Sequence, residues 1–132
     1  MVREWRVPVT VPEQWWEQSR IDLDAAHVMP AVRKALDVLA GRVRVVGAYL
    51  FGSHVEGTPG PYSDVDLAVF AEGAEHWGLF ERVDLATYVQ SRVSHRIDPH
   101  FFPAHALEHP EPGSFAEFVI EHGRRIDLNA SG

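Results

Sequence analysis

Apolar positions along the chain switch between two periods. In residues 5–11, Trp5, Val7, Val9 and Val11 alternate with Arg6, Pro8 and Thr10, the spacing of a strand. The prolines restrict it to an edge strand or an extended arm. Residues 13–40 turn to helical spacing. Trp15, Trp16, Ser19 and Leu23 fall near one face, and Ala25, Val28, Met29, Val32, Ala35, Leu36 and Leu39 recur at steps of three and four. Pro30 would kink this helix or begin a new one, and Gly41 is a plausible C-terminal cap.

The β-branched run Val43, Val45, Val46 predicts a strand over Arg42–Phe51. Gly52 ends it, and Ser53 with Glu56 three residues on has the spacing of a helix-capping pair. Thr58–Tyr62 (TPGPY) is a loop by composition, and a second strand runs from Val65 to Phe70. Residues 74–92 read as a helix with Trp77, Phe80, Val83, Leu85, Tyr88 and Val89 on its apolar face. Arg96–Phe102 reads as a third strand, with Pro99 hinting at an edge or a bulge. Residues 103–113 form a connector. Ser114 can cap a last helix closed by Gly123, and Arg124–Leu128 has the look of a short final strand.

Composition narrows the class. The 132 residues make one domain by size, and a 45% hydrophobic content is that of a globular chain. There is no cysteine, so no disulfide or thiolate zinc site forms, which fits a reducing cytoplasm. No apolar run is long enough for a bilayer, and MVREWRVPVT lacks the core of a signal peptide. A net charge of -7 repels a long phosphate backbone, so long nucleic acid is a poor partner, though a single nucleotide bridged by metal is not excluded. The eight histidines are scattered, with no pair at the helical spacing of a zinc motif.

The candidate chemistry lies between Phe51 and Val69 (FGSHVEGTPGPYSDVDLAV). Residues two apart in a strand share a face, so Asp64 and Asp66 project side by side while Val65 and Leu67 point into a core. Two adjacent carboxylates repel, and a divalent cation relieves the repulsion. Mg2+ prefers carboxylate and phosphate oxygens. Ahead of them, Gly52 lets backbone approach a ligand, and a helix beginning near Ser53 offers free N–H groups and a positive dipole end to phosphate. A phosphate seat facing a metal site implies nucleotidyl or phosphoryl transfer.

The pattern G-S-x-x-x-G-x-x-x-x-x-S-D-x-D-L-x-V is present without a gap at Gly52, Ser53, Gly57, Ser63, Asp64, Asp66, Leu67 and Val69. It resembles the nucleotidyltransferase superfamily that includes DNA polymerase β, and within it the minimal nucleotidyltransferases, small stand-alone domains that commonly work beside a HEPN partner protein in toxin–antitoxin pairs. The resemblance covers about residues 24–128, with 1–23 as an N-terminal extension. It implies an α/β (α+β) fold with a short mixed sheet and helices packed mainly on one face. It also implies a third carboxylate on the strand after the intervening helix, a role that falls to Asp98; Glu81, Asp84 and Glu111 are lesser candidates. Expected roles follow: Asp64, Asp66 and Asp98 as ligands of a two-metal Mg2+ site, Asp98 also acting as or positioning the base, and Gly52, Ser53 and Ser63 binding a nucleoside triphosphate, with ATP favoured.

Where members of that family often carry arginine after Gly-Ser, this chain has His54 and Glu56. Pointing inward, Glu56 would lower nucleotide affinity; as a capping partner it would not. The resemblance implies an acceptor hydroxyl on a HEPN-type partner, making the chain an antitoxin. The alternatives are a catalytically idle module that neutralises its partner by contact and an adenylyltransferase of small molecules such as antibiotics, for which a homo-oligomer would complete the acceptor pocket. Trp15 and Trp16 read as core or partner interface, and Arg124–Arg125 as a solvated helix terminus.

Overall fold

The two apolar runs on either side of Gly52 become neighbouring strands. The computed structural model describes residues 25–52 and 64–128; the expected arm or strand and helix before residue 25, with Trp15 and Trp16, lie outside the described residues, as do Ser53, His54, Glu56, Gly57, Ser63 and the tail. β1 (Val45–Phe51) pairs antiparallel with β2 (Val65–Ala71), with Phe51 opposite Asp66. β2 pairs in parallel with β3 (Ile97–Pro103), and β4 (Arg124–Arg125) pairs antiparallel with β1. The sheet is therefore mixed, in the order β3-β2-β1-β4. Among the described strands β3 is an edge, which accommodates Pro99. Arg124 and Arg125 are strand residues, exposed and paired to Leu50 and Tyr49, rather than the end of a helix.

The parallel pairing of β2 and β3 needs a crossover. It is supplied by a short 3-10 turn, Ala74–His76, and a helix, Leu79–Arg92. The single helix expected over 74–92 is thus broken at Trp77–Gly78. Glu81 restarts it by accepting the Gly78 N–H on Oε1 at 2.9 Å. The restart changes which residues face inward: Leu85 and Val89 are buried, whereas Phe80 and Val83, expected on the apolar face, are 90% and 52% exposed. Trp77 is held by the core instead, its ring edge-on to Phe101 at 5.6 Å.

Numbering helices in chain order, α1 is Ala25–Ala40, α2 is Leu79–Arg92, α3 is His105–Glu108 and α4 is Phe115–His122. Pro30 lies inside α1, which continues past it. Val28, Val32, Leu36 and Leu39 of α1 and Leu85 and Val89 of α2 pack on Leu50, Leu67, Val69 and Ile97 of the sheet. The opposite face carries Tyr49, Phe51, Ala68 and Phe70, covered by Ala106 of α3 and by Ala116 and Val119 of α4. With 16 and 14 residues on one side against 4 and 8 on the other, the helical layer lies mainly on one face. α3 falls inside the segment read as a connector. α4 begins as its sequence predicts: Ser114 Oγ accepts the Glu117 N–H at 3.2 Å, and Glu117 Oε1 accepts the Gly113 N–H at 2.8 Å. Each capping bond of this kind contributes about 1 kcal/mol.

Candidate active site

The alternation of β2 sends Val65, Leu67 and Val69 into the core beneath α1 and α2 and turns Asp66 to the opposite face. The register between β2 and β3 sets Asp66 directly beside Asp98. His100, two residues after Asp98, shares its face. The three side chains meet at the strand ends: His100 Nε2 lies 3.3 Å from Asp66 Oδ1 and 3.3 Å from Asp98 Oδ2. One ligand atom from each of the three falls within 4.8 Å of the others. All three side chains are partly exposed, so the cluster is open to an incoming ligand.

The two carboxylates act on the imidazole. Its pKa is pushed up to about 9 by the hydrogen bond to Asp66, then by that to Asp98, and their negative charge adds to the effect. Partial burial of the ring opposes the charged form and is outweighed. Phe51 of β1 stands edge-on to the ring at 5.1 Å and Phe115 of α4 at 6.1 Å, which fixes its plane.

Gly52 closes the other side of Asp66. Its φ of +84° is left-handed, a conformation that residues with a Cβ rarely adopt. A Cβ there would fall on Asp66 Oδ2. Glycine is thus required twice, by the turn and by the carboxylate against it.

Asp64 precedes β2 and is exposed. It does not join the group formed by Asp66, Asp98 and His100. The Val65 N–H donates to the Arg96 carbonyl at 2.6 Å, tying the start of β2 to the start of β3 immediately after Asp64. The lesser candidates for a third acid are placed elsewhere: Glu81 caps α2, Asp84 pairs with Arg42 at 3.4 Å on the surface, and Glu111 is an exposed connector residue. Ser53 and Ser63 lie outside the described residues.

His100 was not singled out by sequence. The signal was present, because Asp98-x-His100 on a strand obeys the same two-residue rule as Asp64-x-Asp66. A groove of about 320 Å³ opens beside it, walled by Val83, Ala86, Pro99, Phe102 and Phe115. Arg82, also at the groove, is engaged in structure: Nη1 donates to the Phe101 carbonyl at 2.7 Å and Nη2 to the Ala74 carbonyl at 2.9 Å.

Two carboxylates and an imidazole at this separation are a donor set that fits a divalent cation. They lie where the edge strand β3 meets β2 in the mixed sheet, beside the Gly52 turn. Residues 32–125 match the family model of the nucleotidyltransferase domain, and the chain belongs to that family. The crystal structure of a Sulfolobus solfataricus protein assigned as a nucleotidyltransferase shares the fold, with a TM-score of 0.51 over 79% of this chain and 86% of that one at 15% identity. Among curated proteins none matches at a significant level. The matched span contains Gly52, Asp64, Asp66, Asp98 and His100. Among the described residues no helix is long and apolar enough to cross a membrane.

Proposed function

We propose that this chain transfers a nucleoside monophosphate, AMP from ATP, to an acceptor hydroxyl. The observation that carries the reading is the register of β2 and β3, which sets Asp66 beside Asp98 with Gly52 against Asp66. Asp64, Asp66 and Asp98 are the acids that hold divalent metal, Mg2+ in the reading from sequence. A divalent ion held by these acids would supply Lewis-acid stabilisation of the negative charge that develops on the transferred phosphoryl group. Asp98 accepts the proton of the acceptor hydroxyl or positions the group that does. The acceptor oxygen bonds to the α-phosphorus, the bond to the β-phosphate oxygen breaks, and pyrophosphate leaves. Gly52, with Ser53 and Ser63, receives the phosphates.

The acceptor is a hydroxyl on a HEPN-type partner, which would make the chain an antitoxin in a toxin–antitoxin pair. This part rests on the resemblance in the Gly52–Val69 motif. Residues 24–128 carry the chemistry, residues 1–23 extend it, and a cytoplasmic setting suits a cysteine-free chain that uses ATP.

Incubation with labelled ATP and a divalent ion, with and without a candidate all-helical partner, tests the reading. Label should pass to the partner and pyrophosphate should appear. Asp66→Asn and Asp98→Asn should each lower the rate at least about a hundredfold, the loss typical when a group acting on the transition state is removed. Absence of transfer in every pairing, together with absence of metal-dependent nucleotide binding, refutes the enzymatic reading. Neutralisation of the partner by Asp98→Asn without transfer would support the idle module instead.

A further inference from the structure

We propose that His100 is a direct ligand of the bound ion, and that the site therefore takes a first-row transition ion, of which Mn2+ is the test case, in preference to Mg2+. The inference rests on the reading above that Asp66 and Asp98 hold metal. Three observations carry it.

The first is the number of protons. The same atom, Nε2, faces Asp66 Oδ1 and Asp98 Oδ2 at 3.3 Å each. A ring nitrogen carries at most one proton. One N–H can serve both carboxylate oxygens only as a three-centre bond, in which each arm is weaker than a linear hydrogen bond. A cation among the three atoms bonds all of them.

The second is distance. Charge-assisted N–H···O bonds are about 2.7–2.9 Å long, and both contacts here are longer, at 3.3 Å. Neighbouring ligands about 2.1 Å from an octahedral ion stand about 3.0 Å apart. Separations of 3.3 Å are closer to the edge of a coordination shell than to a short ionic hydrogen bond.

The third is rigidity and donor type. His100 is held by strand β3 and by the rings of Phe51 and Phe115 at 5.1 and 6.1 Å, so its nitrogen reaches the site with its orientation already set. Mg2+ binds oxygen and keeps its waters, whereas an imidazole nitrogen favours ions along the series from Mn2+ to Zn2+.

The test uses the full chain, purified free of metal and titrated with Mn2+ and with Mg2+ by calorimetry, and pulsed electron paramagnetic resonance of the Mn2+ complex. The wild-type complex should show nitrogen coupling from a coordinated imidazole, and Mn2+ should bind at least about tenfold more tightly than Mg2+. His100→Ala should abolish the coupling and weaken Mn2+ at least about tenfold while changing Mg2+ less, with an unchanged circular dichroism spectrum. If that variant does not fold, His100→Asn, which keeps a polar group without a ring, takes its place. Mn2+ bound without nitrogen coupling, coupling that survives removal of His100, or equal weakening of both ions overturns the assignment while leaving the metal site intact. Failure of either ion to bind the wild type, or binding unaffected by Asp66→Asn, overturns the metal reading itself and this inference with it.

Discussion

Without metal, His100 should make the stability of the fold depend on pH in a defined direction. The charged groups that face its ring are Asp66 on β2 and Asp98 on β3; Phe51 and Phe115, which pack on it from β1 and α4, are apolar. The folded pKa is raised from 6.5 to about 9. The folded state therefore binds the proton more tightly than the unfolded chain does. The associated stability is complete below pH 6.5, declines as pH rises, and is gone above about pH 9. The distance between the two values sets a ceiling of about 3 kcal/mol. The His100 side chain is 33% exposed, and screening by solvent lowers the expectation to about 2 kcal/mol. The assay is urea unfolding in a chelator at pH 6 and pH 9.5, for the wild type and for His100→Asn. The margin of wild type over variant should be about 2 kcal/mol at pH 6, a midpoint difference of about 1 M urea for a chain of this size, and should close by pH 9.5. A margin equal at both pH values, or one that grows with pH, refutes the reasoning.

Other perturbations address single contacts. Gly52→Ala puts a Cβ on Asp66 Oδ2 and forces a left-handed φ on alanine; thermal denaturation should register a loss of about 1–2 kcal/mol, and divalent-ion affinity should fall with it. Arg82→Met removes two bonds to carbonyls, on Phe101 and Ala74, and should cost about 2–3 kcal/mol in urea unfolding. Ser114→Ala takes the cap from α4 and should cost about 1 kcal/mol; ion affinity should fall far less than on loss of His100, because α4 reaches the site only through the Phe115 ring beside that imidazole.

What was legible in the sequence was what local chemistry decides. The β-branched run at Val43–Val46 predicts β1, which begins three residues later than expected, at Val45; β2, expected over Val65–Phe70, runs to Ala71; and Ser114 starts α4 where a cap should. Phe80 and Val83 were misplaced because helical periodicity was carried across Gly78, where the chain ends a 3-10 turn and begins α2 in a new phase. α3 was missed because four residues between prolines leave no period to detect. The pairing of Asp66 with Asp98 needed strand register, which no single segment encodes; only the resemblance supplied it. His100 was overlooked for a different reason. It has no histidine partner at the helical spacing of a zinc motif, whereas the strand rule that joins Asp64 to Asp66 joins Asp98 to His100.

The site also bridges two strands that α2 separates in sequence. Of the described strands, β3 is at the edge, and it contributes Asp98 and His100, while β2, inside the sheet, contributes Asp66. Any cation shared by the three, whether a metal ion or the ring's own proton, fastens the edge strand to its neighbour. Fraying of β3 would separate the ligands, so occupancy and local opening are opposed by mass action. Amide hydrogens of Asp98 and of residues 100–102 should then exchange more slowly as ion is added, with little change in α1 on the far face of the sheet. The outermost strand would report the filling of the site before any chemistry takes place.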